Sequence, residues 1–189
     1  MTRDDLAATL VQLRRRVDAH FAAAVARTPE AFRCAPGCAA CCHARFGVFE
    51  VEAAPIRRAL AELARTDPAL RARVRDAADD PAHRDHCALL VDGRCSVYAE
   101  RPLICRSHGL PVAVDDEISH CPLNFTAAPP PRPSVLRLDA VNQPLGVMAT
   151  LWRAAEDPPA DPARSPTVTP GELPRVDLAD LAKAPDVPP

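Results

Sequence analysis

The sequence predicts a mainly α protein: a small helical domain with a loop-rich segment and at most a short β-hairpin. Apolar residues recur at helical spacing in several long segments, which indicates amphipathic helices. The stretch between His86 and Asn124 is instead interrupted by Gly, Pro, Asp and Cys every few residues. The eight cysteines fall in two blocks of four, at 34–42 and 87–121. Because the loop-rich stretch has little apolar material of its own, we expect it to be metal-organised and to depend on that metal for order.

The first predicted helix starts near Thr2 and ends at Thr28-Pro29. Its apolar positions follow each other at steps of four and three residues, with Asp, Gln and Arg between them. They are Leu6, Leu10, Leu13, Val17, His20 and Ala24. Since His20 lies on this stripe, we expect it to pack in the core rather than to bind a ligand. Residues 1–28 are therefore predicted to be an N-terminal amphipathic helix.

Two further helices are predicted before the loop-rich segment. The segment from Glu52 to Arg65 has Ile56, Leu60 and Leu63 on one face. Asp67-Pro68 is a cap and first-turn pair for the next helix, which runs to about Ala78. The arginines at positions 71, 73 and 75 of that helix are expected to form a solvated face.

The loop-rich segment contains turn signals of its own. In LLVDGRCSVY, residues 89–98, an Asp-Gly pair separates two short extended pieces, which predicts a hairpin. The acidic run at 115–117 is expected at a second hairpin or loop tip.

The C-terminal part is predicted to consist of a spacer, a helix and a tail. The proline-rich stretch at 127–133 is typical of a stiff spacer. A helix that docks on the core follows it, with Trp152 as a packing anchor and Pro144 at its start or at a kink, so that 127–155 form a linker and docking helix. Residues 156–189 are rich in Pro, Asp and Ala, which predicts a disordered tail with one short helical turn near LADLAK.

Composition and charge exclude several classes of partner. The formal net charge of −2 gives no basis for binding nucleic acid or an anionic membrane. No apolar stretch is long enough to span a bilayer, and the N-terminus is charged where a signal peptide needs an apolar run. We therefore expect a cytoplasmic protein, in a reducing compartment where clustered cysteines bind metal or do redox chemistry.

The first cysteine block, CAPGCAACC at 34–42, has the strongest chemical signal. Thiolates are the ligands that zinc and iron–sulfur clusters prefer, and four of them normally complete either site. If the chain is helical from about Cys38, then Cys38, Cys41 and Cys42 share one face over one turn. Side chains of neighbouring helical residues diverge by about 100°, so Cys41 and Cys42 are not expected to bind one small ion together.

The second block has long gaps, so its thiols must come from separate loops. It contains Cys87, Cys95, Cys105 and Cys121. Arg101 and Arg106 lie next to these thiols in sequence and can offset the negative charge of a thiolate site, although a solvent-facing position is equally expected for each. Tyr98 is expected to pack in the core beside the site with its hydroxyl hydrogen-bonded.

These residues together resemble the YkgJ-type cysteine cluster family. The matching order is C-x3-C-x2-C-C, then C-x7-C-S-V-Y-x2-R-P-x2-C-R, then a last cysteine followed by Pro-Leu-Asn, from about Cys34 to Phe125. The resemblance implies a bacterial protein with a zinc- or iron-chelating, or iron–sulfur-cluster-containing, domain. Some larger relatives are described as flagellin lysine N-methylases, but this shorter chain has no cofactor-binding glycine loop, so a complete methyltransferase is not expected.

Residues 29–126 are accordingly predicted to be a cysteine-cluster metal-binding domain. The predicted ligands are Cys34, Cys38, Cys41, Cys42, Cys87, Cys95, Cys105 and Cys121. An iron–sulfur cluster, the four-iron form in particular, is favoured over zinc, together with a redox role and an unspecified redox or protein partner. A structural zinc module for protein–protein interaction is one alternative. Another is an enzyme, methylase-related or an oxidoreductase, that uses the cluster.

The predicted ligands can also be ranked. Those that share a helix face or lie in the densest motif are expected to hold the metal most strongly, namely Cys38, Cys42, Cys95 and Cys105.

Overall fold

The computed structural model describes residues 1–35, 37–115, 117–156 and 173–186. Of these residues 58% are helical, which confirms the mainly α class. The helices are α1 (Arg3–Arg27), α2 (Glu50–Thr66), α3 (Pro68–Asp79), α4 (Leu103–Ser107), α5 (Asp139–Glu156) and α6 (Leu178–Lys183). Within the described part of the chain, none of them is both long and apolar enough to cross a membrane.

The strands are two or three residues long and form small sheets. They are β1 (Gly47–Val48), β2 (Leu90–Val91), β3 (Arg94–Cys95), β4 (Val112–Val114), β5 (Glu117–Ser119), β6 (Leu136–Arg137) and β7 (Val176–Asp177). The β2–β3 and β4–β5 pairs are antiparallel hairpins. The β1 strand pairs with β7 antiparallel, and β4 pairs with β6 in parallel. The last two pairings join segments that are far apart in the sequence, which local patterns do not reveal.

The chain forms two compact units, and each unit combines two separate stretches. Unit 1 consists of residues 1–35 and 103–173, and unit 2 consists of residues 36–102 and 174–189. The four regions predicted along the sequence stay predictions.

Unit 1 is organised by α1, which begins and ends where the sequence predicts. Thr2 and Asp5 form a reciprocal capping box at its start, since each side chain accepts a hydrogen bond from the other residue's backbone N–H. The predicted stripe is buried except at His20, which is half-buried; its Nε2 lies 3.1 Å from the carbonyl oxygen of Ser134. On α5, Trp152 is buried as predicted, and Pro144 lies inside the helix rather than at its start.

Unit 2 has its own apolar core. Ile56 and Leu60 of α2 pack with Val74 of α3 and with α6. The predicted cap of α3 is confirmed, because the Asp67 carboxylate accepts a hydrogen bond from the backbone N–H of Leu70 at 2.9 Å. The helical turn predicted near LADLAK is present as α6. The parts of the predicted tail at 157–172 and 187–189 lie outside the described residues.

Both predicted hairpin turns are confirmed. Asp92 and Gly93 connect β2 to β3 with φ values of 52° and 71°. Positive φ at both central residues is what a two-residue type I′ turn requires, and Asp-Gly is a preferred pair for it. At the second turn, between β4 and β5, Asp115 has a φ of 47°.

The prediction of a solvated arginine face on α3 is wrong for Arg71, whose side chain is only 2% exposed. Its guanidinium donates to the Asp186 carboxylate at 2.7 Å and to the carbonyl oxygens of Ala182 and Ala184 at 2.7 and 2.9 Å. Arg75 also pairs with Asp186. A guanidinium has five donors in a fixed fork, so Arg71 can satisfy several acceptors at once. This side chain therefore fastens the C-terminal segment to the core of unit 2.

Replacing Arg71 with Met is expected to lower the free energy of unfolding by about 2–4 kcal/mol, because buried carbonyl oxygens lose their donors. Arg73→Met is the matched control: Arg73 is 51% exposed in its pair with Asp92, so a loss below about 1 kcal/mol is expected. Urea unfolding measures both losses, and hydrogen exchange of the α6 amides shows whether the segment opens first. Equal losses in the two variants would contradict the assigned role of Arg71.

Candidate metal centre

None of the eight cysteines is in a disulfide, and they are distributed over both units. Unit 1 contains Cys34, Cys105 and Cys121, and unit 2 contains Cys38, Cys41, Cys42, Cys87 and Cys95. The first sequence block is therefore divided after Cys34, and the second is divided after Cys95. Proximity in sequence does not define the sets of thiols that fold together.

Four thiols of unit 2 lie close to one another, and we call them the four-thiol group: Cys41, Cys42, Cys87 and Cys95. The sulfur atoms of Cys41 and Cys42 are 4.0 Å apart. The backbone N–H of Cys87 donates to the carbonyl oxygen of Cys42 at 2.7 Å, which joins the two sequence blocks. Cys95 is placed by the β2–β3 hairpin, where it pairs with Leu90. Three short segments thus bring the group together.

The chain is not α-helical from Cys38, so the condition under which the adjacent cysteines were expected to diverge is not met. The chain forms only a single 3-10 turn, Ala40–Cys42, in this block. Successive residues of a 3-10 turn still differ in direction by about 120°, but the sulfur atoms of Cys41 and Cys42 are nevertheless only 4.0 Å apart. Zinc–sulfur bonds of about 2.3 Å in a tetrahedral site place two sulfurs about 3.8 Å apart. The observed 4.0 Å is close to that distance, so this pair can bind one small ion together.

The electrostatics of the four-thiol group oppose ionisation in the absence of a cation. The hydrogen bond with Cys42, burial and the nearby Cys42 charge raise the pKa of Cys41 far above its usual value. Burial, with smaller contributions from Cys95 and Cys41, raises the pKa of Cys87 to about 11. Burial also raises the pKa of Cys95. A bound cation would reverse this balance, since it stabilises thiolates at close range.

The predicted neighbours of the thiols have different surroundings. Arg101 lies near the four-thiol group, where its positive charge lowers the pKa of Cys95 against the larger effect of burial. Its guanidinium carbon is 3.7 Å from the centre of the Tyr98 ring. Tyr98 is 63% exposed, so the prediction that it packs in the core is wrong. Arg106, in unit 1, forms an ion pair with Asp18 of α1 at 2.6 Å. Roles for Arg101, Tyr98 and Arg106 in holding a metal stay predictions.

The four-thiol group fits a soft metal in its chemistry, but it does not form a closed ligand set. Buried thiols with raised pKa values are donors that a 2+ ion would stabilise as thiolates. Among the residues that the structure describes, no three His, Cys, Asp or Glu side chains are placed to hold a metal ion. The described residues therefore bring thiols near one another without forming a complete metal site.

Sequence reasoning missed one residue beside the thiols of unit 1. Asn124 follows the last cysteine, and its Nδ2 donates to the Sγ atom of Cys34 at 3.4 Å. Its backbone N–H donates to the carbonyl oxygen of Cys121 at 2.9 Å. The available signal was the Pro-Leu-Asn sequence after Cys121, which supported the resemblance without indicating a role.

Thiols that separate loops of a mainly α chain bring near one another are donors that a soft metal prefers. Residues 33–122, a little under half of the chain, match the family model described as "CxxCxxCC: Putative zinc- or iron-chelating domain". The match contains all eight cysteines. The resemblance to the YkgJ-type family is thereby confirmed. No curated protein and no solved structure matches the chain.

The raised pKa of Cys87 predicts a specific pH dependence of the metal-free protein. A thiol whose pKa is higher in the folded state stabilises the fold below its ordinary pKa of 9.0, and this contribution is lost as pH rises through about 11. The loss should be on the order of 2 kcal/mol. Urea unfolding between pH 8 and 11, after anaerobic chelation, should show a shallower decline for Cys87→Ala than for the wild-type chain. Identical slopes in the two proteins would contradict the assignment.

Proposed function

We propose that the protein binds zinc or iron through its cysteines, with the four-thiol group as the primary ligand set. Metal binding is the activity that the family match of residues 33–122 supports. The observation that carries the choice of ligands is the 4.0 Å separation of the Cys41 and Cys42 sulfurs, with Cys87 hydrogen-bonded to Cys42 through the backbone. We infer that the remaining cysteines, Cys34, Cys38, Cys105 and Cys121, complete the chelating capacity.

The backbone and the charged residues of unit 2 favour metal binding by these thiols. The 3-10 turn contains Cys41 and Cys42, and the β2–β3 hairpin contains Cys95, so three of the four thiols lie on folded backbone. Each thiol must release its proton when it becomes a ligand, so affinity should rise with pH. Four thiolates around a 2+ ion leave a net charge near −2, and Arg101 is the cation beside the group that can offset it.

The 4.0 Å separation favours a single ion over a cluster as the metal of the four-thiol group. In a four-iron cluster each thiolate binds a different iron atom, which separates the sulfurs more than a shared ion does. A single thiolate-bound ion would supply structural cross-linking, and iron in that position could also carry an electron.

A redox-active or labile iron–sulfur cluster is the second candidate. The observation that favours it is the number of thiols: one tetrahedral ion needs four, and the chain offers eight. Spare thiols near a metal can undergo oxidation or exchange. The location we propose is the cytoplasm, since none of the eight cysteines is in a disulfide and a reducing compartment keeps thiols in that state.

Anaerobic purification followed by metal and sulfide analysis tests both candidates. The first predicts one to two zinc or iron ions per chain and no acid-labile sulfide. A brown protein with absorbance near 400 nm and labile sulfide would instead establish the cluster. A wild-type chain that retains no metal, and takes up none on anaerobic addition of zinc or iron, would contradict metal binding altogether.

Single Cys→Ser variants test the ligand set. Cys42→Ser and Cys87→Ser are expected to lower metal affinity by more than about 100-fold, because each removes a thiolate of the primary set. Cys121→Ser is the matched comparison, and its loss should be smaller because Cys121 lies outside the four-thiol group. Competition with a chromophoric chelator measures the affinities. Equal losses in all three variants would count against a primary set in unit 2.

A further inference from the structure

The side chain of Asn124 is almost fully buried in unit 1, with 1% exposure, and every polar group on it has a partner. Its Oδ1 atom accepts a hydrogen bond from the backbone N–H of Arg33 at 2.8 Å. Its Nδ2 group donates to the carbonyl oxygen of Gly109 at 2.8 Å and to the sulfur of Cys34 at 3.4 Å. An asparagine amide has two N–H donors, so one is used on the backbone and the other on the thiol.

Gly109 lies against the same sulfur from another side. Its φ is +99°, a conformation that residues with a side chain rarely adopt. A Cβ atom at this position would lie 2.6 Å from the Cys34 sulfur, far inside van der Waals contact. Both features require glycine here. Gly109 and the Asn124 amide therefore both restrict the position of the Cys34 sulfur.

This arrangement involves a cysteine at the surface of unit 1. Cys34 is an exposed residue, although its sulfur contacts a buried amide and a glycine backbone. A buried asparagine that served only to join loops would need its two backbone partners, Arg33 and Gly109, and no sulfur. The additional N–H···S contact orients one specific atom, which is the arrangement that ligand sulfurs in metal sites commonly have.

We propose that Asn124 is a positioning residue that, together with Gly109, holds the Cys34 sulfur in place as a metal ligand. This inference rests on the proposed function, in which Cys34 belongs to the chelating cysteines. Asn124 does not itself bind the metal: its N–H group orients the sulfur and disperses charge from the thiolate. Without the Asn124 amide, the Cys34 side chain is free to rotate. Metal binding must then restrict that rotation, which lowers the affinity.

A double-mutant cycle in the full-length chain tests this assignment, with Co²⁺ as a spectroscopic probe and Zn²⁺ in competition. Asn124→Ala should lower metal affinity by about 10- to 100-fold. Because the effect acts through one sulfur, the Cys34→Ser/Asn124→Ala double variant should bind no more weakly than Cys34→Ser. The thiolate-to-cobalt absorption should fall by the contribution of one thiolate in either single variant. Asn142→Ala, at an exposed asparagine of α5, is the matched control and should leave both readouts unchanged.

Alkylation of the metal-loaded protein followed by mass spectrometry separates positioning from general support of the fold. In Asn124→Ala the alkylation rate of Cys34 should rise at least about fivefold, whereas those of Cys41 and Cys87 should stay unchanged. If the alanine variant does not fold, Asn124→Gln takes its place, because it keeps an uncharged amide but moves the N–H group away from its position beside the Cys34 sulfur. That variant should then show the same selective rise in the alkylation rate of Cys34.

Three results would overturn the inference. Additive affinity losses in the cycle would show that Asn124 acts independently of the Cys34 sulfur. Uniform deprotection of all cysteines would show a purely structural role, and full metal affinity in Cys34→Ser would remove Cys34 from the ligands. If the wild-type chain binds metal in these cases, the proposed function stands and only the positioning role fails. A wild-type chain that binds no metal overturns both.

Discussion

The sulfur atoms of Cys41 and Cys42 lie 4.0 Å apart, and two thiolates at that distance would repel each other. Burial and the close contact with Cys42 raise the pKa of Cys41, and burial raises that of Cys87, so without a cation the group is stable only while its thiols keep their protons. A soft cation bound there would replace those protons and convert the repulsion into attraction. The loops around Cys87 and Cys95 are also anchored by apolar packing, because Leu89, Val91 and Val97 are buried in the core of unit 2.

The rest of unit 2 provides a fixed base for these loops. Helices α2, α3 and α6 share one apolar core, and the thiols of Cys87 and Cys95 pack against its edge. The C-terminal segment belongs to this base although it is distant in sequence, because Arg71 holds its carbonyl oxygens and the Asp186 carboxylate. A small helical core thus supports a site whose own segments are too short to fold independently.

Sequence patterns predicted the structural features that depend on residues close together in the chain. The long helices, the Asp67 cap and the turn at Asp92 follow from periodicity and from the φ values that particular residues favour. The same patterns could not predict features that depend on contacts between residues far apart in the sequence. Burial of Arg71 depends on acceptors more than a hundred positions away, and the 3-10 turn at Ala40–Cys42 replaces a helix that local spacing favoured. For the site, the cysteines were evident, but their grouping and the contacts of Asn124 were not.

Arg101 and Asn124 both lie beside thiols, but one side chain is charged and the other is neutral. Arg101 has a full positive charge and lies near the four-thiol group, where several negative charges would accumulate on metal binding. Asn124 has a neutral amide and contacts one sulfur, so it can orient Cys34 whether or not the thiol is ionised. A buried cation beside a single thiol would incur a desolvation cost that one thiolate could not offset, whereas an amide whose other groups are satisfied by the backbone does not. The chemistry of each neighbour therefore matches the charge that its thiols would hold.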